Sequence, residues 1–528
     1  MAARLSPASL ERALEHVCHY GDTDVFPHLF ETAFLKDEKV HVIEELAQLD
    51  LDSFSPSQGI ETIAPKSRYG FRVVHQLPLL ETVLFTASLI EIAPNLAAGK
   101  GTYGGYGPFA YHFNANGGSS LFEEGRTYHD WLQWQKQELL RNDFHSVIHT
   151  DIADFYQRIY FHRVENTINN LSPNAGVNRY ILKAIKAIRS HQSYGIPIGG
   201  SASRLLAEAV LIDLDAALFD EGIIFSRFVD DYRIFIRSDQ DSYQVLSRLA
   251  ELLYSSEGLT LNGQKTSVHN GSTYLTDNVE IFKSAGEKAE ETAIETLSSL
   301  LYFDENPNQE LVDQLRNLNL VGMLQEEIES ESWNFSRIKS VLRALRLSGS
   351  DDAVEFVIAN LRDLLPFSKE ILLYFDELKM HGVDFGPDLP NKLIEVAGNS
   401  SSPVATTKTW ILEFFVRGIC EINNQQVRIL EESGPLIERQ ITLIRGLRGE
   451  NTFFRRNKND FDHKSSFTKP AFMLAATCLT TDELSTWLSA VRPRLTRPLD
   501  NAFSRWVAKK SGKLREVLDS SRVATPDA

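Results

Sequence analysis

Cysteine is scarce in this sequence, which contains Cys18, Cys420 and Cys478 and no others among 528 residues. Three scattered thiols supply neither an even disulfide framework nor the paired ligands of a zinc site. The sequence therefore excludes a disulfide-stabilised scaffold and a zinc-ribbon protein. We expect the three thiols to be buried.

Long apolar runs are also missing. No segment approaches the ~18 uninterrupted apolar residues that a membrane span needs. The first residues, 1–7, lack the apolar core of a secretory signal. We expect a cytoplasmic protein with no membrane partner. Its length exceeds what one hydrophobic core usually supports, which predicts two or more domains.

Positive charge is in deficit, because the formal net charge is -17. Nucleic-acid binding relies on Lys and Arg that displace counterions from phosphates. Residues 439–515 are the exception, with Lys and Arg outnumbering Asp and Glu by 16 to 6. Aromatic residues lie among these cations, and they are Phe453, Phe454, Phe503 and Trp506. The pattern predicts a single-strand-binding surface around Arg455, Arg456 and Lys458; solvated helix faces are the alternative.

The pair Asp230-Asp231 interrupts the apolar segment 225–236, which otherwise predicts a buried hairpin. Two adjacent carboxylates at such a turn repel each other and lose hydration, so a divalent cation is the expected compensation. An ordinary β-turn with acidic corners is the alternative. Asp151, which ends another apolar segment, supplies a third carboxylate. Acidic oxygens from separate segments are what two-metal phosphoryl transfer requires, and Mg²⁺ suits them.

Two other polar residues lie near Asp151. His149 is interpreted as structural, since imidazole matches Mg²⁺ less well than carboxylate does. Asp154, if it lies on the same strand, points to the opposite face and orients a neighbouring group. Between the acidic segments, the glycine-rich turn 194–203 precedes a predicted helix and permits close approach of backbone to a ligand. A capped loop is the alternative for that turn.

These segments, in this order, resemble the central palm motifs of reverse transcriptases. The resemblance implies Asp151, Asp230 and Asp231 as catalytic residues that hold two Mg²⁺ ions, with Mn²⁺ as a substitute and the Ile152 backbone as a further ligand. It also implies nucleotide-binding residues, namely Lys66 and Arg72 in the fingers, Tyr156, Gly199 and Lys265. An aromatic ring at Tyr156 would exclude a 2′-hydroxyl, favouring dNTPs over NTPs and disfavouring an RNA-copying RNA polymerase.

More narrowly, Trp131-Leu-Gln-Trp134, the phrase 151–160 and a long helical tail resemble bacterial abortive-infection and other defence-associated reverse transcriptases. That resemblance implies defence against phage, homo-oligomers, and DNA synthesis on RNA, such as a dedicated non-coding RNA, or with little template. Phe228 and Ile198 depart from the tyrosine and glutamine usual in reverse transcriptases, and the second departure puts template use in doubt. A nucleic-acid-binding sensor or scaffold without turnover is the alternative function.

The expected fold is α+β. An N-terminal helical element (1–60) precedes right-hand polymerase fingers and palm (61–285), and an all-α, HEAT-like helical domain (286–528) follows. The last region shows helix-period segments separated by short breakers but no crisp sequence repeat. Within it, Tyr374 is flanked by Leu373 and Phe375 and is expected to be a core residue.

Overall fold

The computed structural model describes residues 2–101, 103–189, 192–238, 240–274, 309–398, 404–431 and 434–522. The expected boundary at residue 285 lies outside these ranges. The N-terminal element is helical, as predicted, and consists of α1 (Pro7–Tyr20), α2 (Glu31–Asp37) and α3 (Lys39–Ala47). Ser6 caps α1 by accepting a hydrogen bond from the Ser9 amide, which satisfies one of the free donors at the helix start.

A two-stranded antiparallel hairpin follows, made of β1 (Ile60–Pro65) and β2 (Phe71–Gln76). The Lys66 amide donates to the Gly70 carbonyl at 2.9 Å and closes the turn. This hairpin corresponds to the segment in which the sequence predicts the fingers cations.

Helix α4 (Leu79–Gly99) comes next and packs against α1 and three palm helices. Within the described ranges it is the one helix long and apolar enough to cross a membrane, and it is mostly buried inside the protein. A helix that is apolar on all sides is expected at the centre of a large core, so burial accounts for its composition.

The palm is built on a five-stranded mixed sheet with strand order β3-β5-β6-β4-β7. Its strands are β3 (Gly107–Pro108), β4 (Ser146–Asp151), β5 (Ile224–Phe228), β6 (Asp231–Ile236) and β7 (Ser267–Asn270). The palm helices are α5 (Tyr128–Arg141), α6 (Phe155–Arg158), α7 (Phe161–Leu171), α8 (Ala175–Ile188), α9 (Ser201–Val210), α10 (Ile212–Asp220), α11 (Ser242–Leu252) and α12 (Gly271–Tyr274). Consecutive residues Val147 and Ile148 are both fully buried, which means that β4 is covered on both faces.

Beyond residue 308, all the described regular structure is helical. The helices are α13 (Gln309–Leu315), α14 (Leu320–Glu329), α15 (Phe335–Ser348), α16 (Val354–Ala359), α17 (Ser368–Met380), α18 (Asp388–Gly398), α19 (Ala405–Arg417), α20 (Asn424–Leu430), α21 (Pro435–Leu447), α22 (Asn451–Asn457), α23 (Thr468–Ala475), α24 (Thr481–Val491), α25 (Asp500–Lys509) and α26 (Leu514–Ser520). Alternate helices α15, α17, α19, α21 and α23 pack in a row. Tyr374, as expected, lies in the core, where its hydroxyl donates to the Ser350 carbonyl at 2.6 Å.

The N-terminal element lies against the C-terminal helices. The Trp410 indole donates to the Val25 carbonyl at 2.9 Å, and the Trp506 indole donates to Asp37 at 2.8 Å. The Phe34 and Phe503 rings meet edge to face with centroids 5.3 Å apart. Residues 1–60 therefore share a core with the helical region instead of forming a separate unit.

The prediction of buried cysteines is wrong in degree, because all three thiols are half-buried. Burial raises the pKa of Cys18 and Cys478 to about 11 and that of Cys420 to about 12. At neutral pH these thiols stay protonated, so they are weak nucleophiles.

Candidate active site

Three carboxylates meet at one end of the palm sheet. Asp151 ends β4 and lies directly opposite Asp231, which begins the antiparallel strand β6. Asp230 occupies the tight turn between β5 and β6, and its carbonyl accepts a hydrogen bond from the Ile152 amide at 3.0 Å. The sequence predicted that these segments converge, and the strand register brings them together.

A buried arginine, Arg227, holds the turn that carries Asp230. Val229 has a φ of 58°, which is costly for a β-branched residue and is kept only where the surroundings enforce it. Arg227 donates to the Val229 carbonyl at 3.0 Å. The same guanidinium donates to Glu208 at 2.8 Å and to Asp215 at 2.7 Å. Arg227 thus ties the turn that carries Asp230 to α9 and α10.

Sequence reasoning missed Arg227. The available signal was an arginine inside an otherwise apolar strand, because such a residue is seldom fully buried unless it is paired. Its partners come from helices earlier in the chain and could not be read from spacing.

The three carboxylates differ in their electrostatic surroundings. Burial, followed by the nearby Asp151 and Asp231, raises the pKa of Asp230 to about 7. Burial also acts on Asp231, but Arg233 at 2.6 Å and His149 at 3.1 Å outweigh it and lower the pKa of that carboxyl. Of the three carboxyl groups, Asp230 is therefore the one whose ionised form the protein stabilises least.

Cationic side chains engage two of the carboxylates. The Lys265 ammonium lies 3.0 Å from Asp151, and the buried Arg233 guanidinium binds Asp231. Across the described ranges, no three Asp, Glu, His or Cys side chains are arranged to hold a metal together. The arrangement still fits a divalent cation, because the donors are hard oxygens and the charge on Asp230 is poorly compensated. The side chain of Ile152 is a hydrocarbon, so only its backbone carbonyl could contribute a ligand.

The predictions for the two polar neighbours of Asp151, His149 and Asp154, differ in outcome. His149 contacts Asp231, which agrees with its interpretation as a structural residue. The argument for Asp154 is wrong, because β4 ends at Asp151. Asp154 instead precedes α6 with a φ of 49°, and its exposed carboxylate lies 3.9 Å from Arg158. A strand-based alternation of faces does not apply after the strand has ended.

Tyr156 lies close enough to the turn that carries Asp230 to feel its charge. Burial, then the field of Tyr111 and further that of Asp230, raises the pKa of its hydroxyl well above the usual value. Its carbonyl accepts from the Ile196 amide at 2.9 Å, which joins α6 to the glycine-rich turn. The tyrosine is therefore near the carboxylates, and its role against the sugar stays a prediction.

Gly199 is required by chain packing. Its φ is 121°, and a Cβ atom there would lie 2.4 Å from the Thr23 hydroxyl oxygen. The Gly199 carbonyl also accepts from the Asp24 amide at 3.3 Å. The close backbone approach predicted at this glycine is thus to the N-terminal element, and a contact with nucleotide stays a prediction.

Lys66 and Arg72 lie on the two sides of the fingers turn, and both are exposed. The hairpin is linked to the glycine-rich turn, since the His75 amide donates to the Ile198 carbonyl and His75 Nδ1 accepts from the Ile198 amide at 3.2 Å. Arg72 also contributes to the low pKa of Asp24, after Arg204. The two cations are exposed and can contact an incoming anion. The β1–β2 hairpin sets their position relative to the three carboxylates.

The predicted nucleic-acid surface near residue 455 needs correction. Arg455 and Lys458 both bind Glu483, at 3.0 Å and 2.7 Å, whereas Arg456 is exposed. The rings of Phe454, Phe503 and Trp506 are buried, and Phe453 is partly buried. Because helical periodicity turns the rings of Phe454, Phe503 and Trp506 inward, these three cannot stack on bases, and this part of the prediction is wrong.

A hairpin with adjacent carboxylates opposite a third carboxylate on the neighbouring strand is the arrangement of a nucleotidyl-transferring polymerase palm. Residues 114–297 match the family model described as reverse transcriptase (RNA-dependent DNA polymerase). This part of the chain is therefore similar to RNA-directed DNA polymerases of the reverse-transcriptase type. No curated protein sequence matches the chain.

Solved telomerase structures are similar to this chain at low identity. The telomerase of Candida albicans, in complex with a TWJ fragment of telomeric RNA, is 12% identical with a TM-score of 0.30, and the match covers 72% of this chain and 66% of that one. The apo telomerase of Candida tropicalis is 13% identical with a TM-score of 0.33, covering 76% and 75%. The chain thus spans just under two thirds of the first of these proteins.

Proposed function

We propose that the protein is a reverse-transcriptase-like DNA polymerase that adds dNTPs to a hydroxyl by a two-metal mechanism and acts in bacterial anti-phage defence. The observation that carries the proposal is the cross-strand pairing of Asp151 with Asp231 beside the turn that holds Asp230. Acidic oxygens from separate strands, held together at a sheet end, are what metal-assisted phosphoryl transfer needs.

In this proposal the three carboxylates hold Mg²⁺, or Mn²⁺ in its place, which would activate the attacking hydroxyl and neutralise developing charge. Lys66 and Arg72 bind the triphosphate and keep it in position for attack. Lys265 exchanges its contact with Asp151 for the nucleotide's phosphates. Burial and the neighbouring carboxylates raise the pKa of Asp230 to about 7, so its ionised form is poorly stabilised by the protein alone. A bound cation would supply the missing stabilisation.

The proposed partners are RNA or single-stranded DNA, with a dedicated non-coding RNA among the candidate templates, and the protein is proposed to be a cytoplasmic homo-oligomer. The defence-associated motifs support this, together with the HEAT-like interpretation of the helix row. Template-independent extension remains within the proposal, because Ile198 stands where a polar contact is usual.

A second function, a nucleic-acid-binding scaffold without turnover, is favoured by one observation. Lys265 and Arg233 already neutralise two of the three carboxylates. If these pairs were permanent, the palm would keep its shape without binding metal.

Incorporation of labelled dNTPs separates the two functions. We expect the wild type to extend DNA in Mg²⁺, with or without an added RNA template, and the activity to be lost in EDTA and in Asp230→Asn. Asp143→Asn is the matched control, because Asp143 is an exposed carboxylate ahead of β4.

Phage challenge of cells that carry each variant gives the biological readout. Protection that is equal for the wild type and Asp230→Asn would favour the scaffold. Loss of protection in Asp230→Asn but not in Asp143→Asn would favour the polymerase.

A further inference from the structure

A large cavity lies between the N-terminal element, the start of α4 and the C-terminal helices. Its volume is about 560 Å³, within the range of small-molecule sites. Its lining includes neither the catalytic aspartates nor the fingers cations. Whatever it binds is therefore separate from the proposed polymerase site.

One side of the cavity is apolar. The lining residues that form it include Phe34, Leu79, Met473, Leu499 and Phe503. Leu499 has a φ of 66°, a left-handed conformation that is strained in a non-glycine residue. Strain of this kind clusters at ligand sites and is kept only where the surroundings hold it.

The acidic side chains of the lining are largely neutralised. Each of three has a cationic partner, in the pairs Glu31–Arg439, Glu81–Arg497 and Asp462–Arg494. The fourth is Asp500, and burial raises the pKa of its carboxyl to about 6. The cavity thus presents less negative charge than its four carboxyl groups suggest.

Lys469 is the lining cation that makes no direct ion pair within the described ranges. Its positive charge acts on the Asp500 carboxyl, whose pKa it lowers against the effect of burial. Its ammonium lies 5.9 Å from the centre of the Phe461 ring. An ammonium that is not hydrogen-bonded to a carboxylate can contact the anionic group of a ligand.

We propose that this cavity binds an amphipathic organic anion. Its carboxylate or phosphate group contacts Lys469, and its apolar or aromatic body lies against Met473, Leu499 and Phe503. A fatty-acid-like carboxylate and a nucleoside monophosphate share this chemistry. Because the walls come from both ends of the chain, occupancy links the N-terminal element to the helical region.

Calorimetry and thermal unfolding of the full chain test the proposal with decanoate, adenosine monophosphate and the neutral decanol. We expect at least one of the two anions to bind and raise the melting temperature, and decanol to bind more weakly than decanoate. Lys469→Met should weaken the anion at least tenfold, and Met473→Trp should block the cavity and abolish binding. Lys513→Met is the control, since Lys513 is an exposed lysine of the same region.

Ligand-free melting curves confirm that each variant is folded. The proposal is overturned if neither anion binds at millimolar concentration, if Lys469→Met and Met473→Trp bind like the wild type, or if decanol binds as well as decanoate. Each of these results concerns the cavity alone, so none of them bears on dNTP incorporation.

Discussion

Replacing Arg227 by methionine tests how the turn that carries Asp230 is held. The substitution keeps a long side chain but removes the buried charge between Glu208 and Asp215. Glu208 retains a second cation, because Lys100 lies 3.1 Å from it. Asp215 has no other ion-pair partner within the described ranges. The variant therefore leaves Asp215 as a buried carboxylate without a direct ion pair.

The pKa directions agree with this asymmetry. Burial raises the pKa of Asp215 even with Arg227 beside it. At Glu208, burial is outweighed by Arg227 and Lys100, and the pKa is lowered. Breaking a buried ion pair by removing one partner costs about 3–5 kcal/mol, whereas replacing both partners by neutral groups costs far less. We expect Arg227→Met to lose about 3–5 kcal/mol, and Arg227→Met/Asp215→Asn to recover most of it.

Native-state hydrogen exchange on peptides covering 224–236 measures the free energy of opening these strands directly. The single variant should exchange faster throughout the hairpin, and the double variant should approach the wild type. A loss under about 1 kcal/mol, or a double variant no more stable than the single one, would refute the reasoning because Asp215 would then not be an unpaired charge.

Three further outcomes are expected. The folded-state pKa of Asp230 lies above its ordinary value, so this group lowers the free energy of unfolding progressively from about pH 4 to about pH 7 and has no effect below pH 4. Asp230→Asn should therefore stabilise the metal-free protein at pH 8 by up to about 4 kcal/mol. At pH 8 in EDTA, the melting temperature of Asp230→Asn should exceed that of the wild type, and Mg²⁺ should reduce this difference. A difference in melting temperature that does not change with pH would contradict the argument. Tyr156→Val should gain ribonucleotide use in a competition between dNTPs and NTPs, and unchanged discrimination would count against the steric gate. Arg455→Gln/Lys458→Gln should leave RNA and single-stranded DNA affinity, and its salt slope, unchanged, since Glu483 already occupies both cations; a reduced slope would restore the predicted surface.

The meeting of Asp151 with the Asp230-Asp231 turn could be predicted, because apolar strands bounded by carboxylates leave a strong local signal and their order matches a known motif set. The contacts around them could not. Arg227 depends on two helices elsewhere in the chain, and Arg455 depends on Glu483 in a later helix.

Orientation was the other limit of sequence reasoning. Charge counts for residues 439–515 do not tell which helix face is buried, and the rings of Phe503 and Trp506 turned inward. The prediction for the direction of the Asp154 side chain was wrong for a related reason. It assumed a strand that extends three residues further than β4 does.

Residues 22–25 join the two large regions of the molecule. The Asp24 amide bonds Gly199 of the palm, while its carbonyl accepts from Lys369 of the helical region at 3.0 Å. Val25 is held by Trp410 in the same way. A truncated chain without the helical region would lose the hydrogen bonds that Lys369 and Trp410 donate to residues 24 and 25. We therefore expect that the palm does not fold as an independent half, and that grafting these helices onto another palm would require transplanting the amino terminus as well.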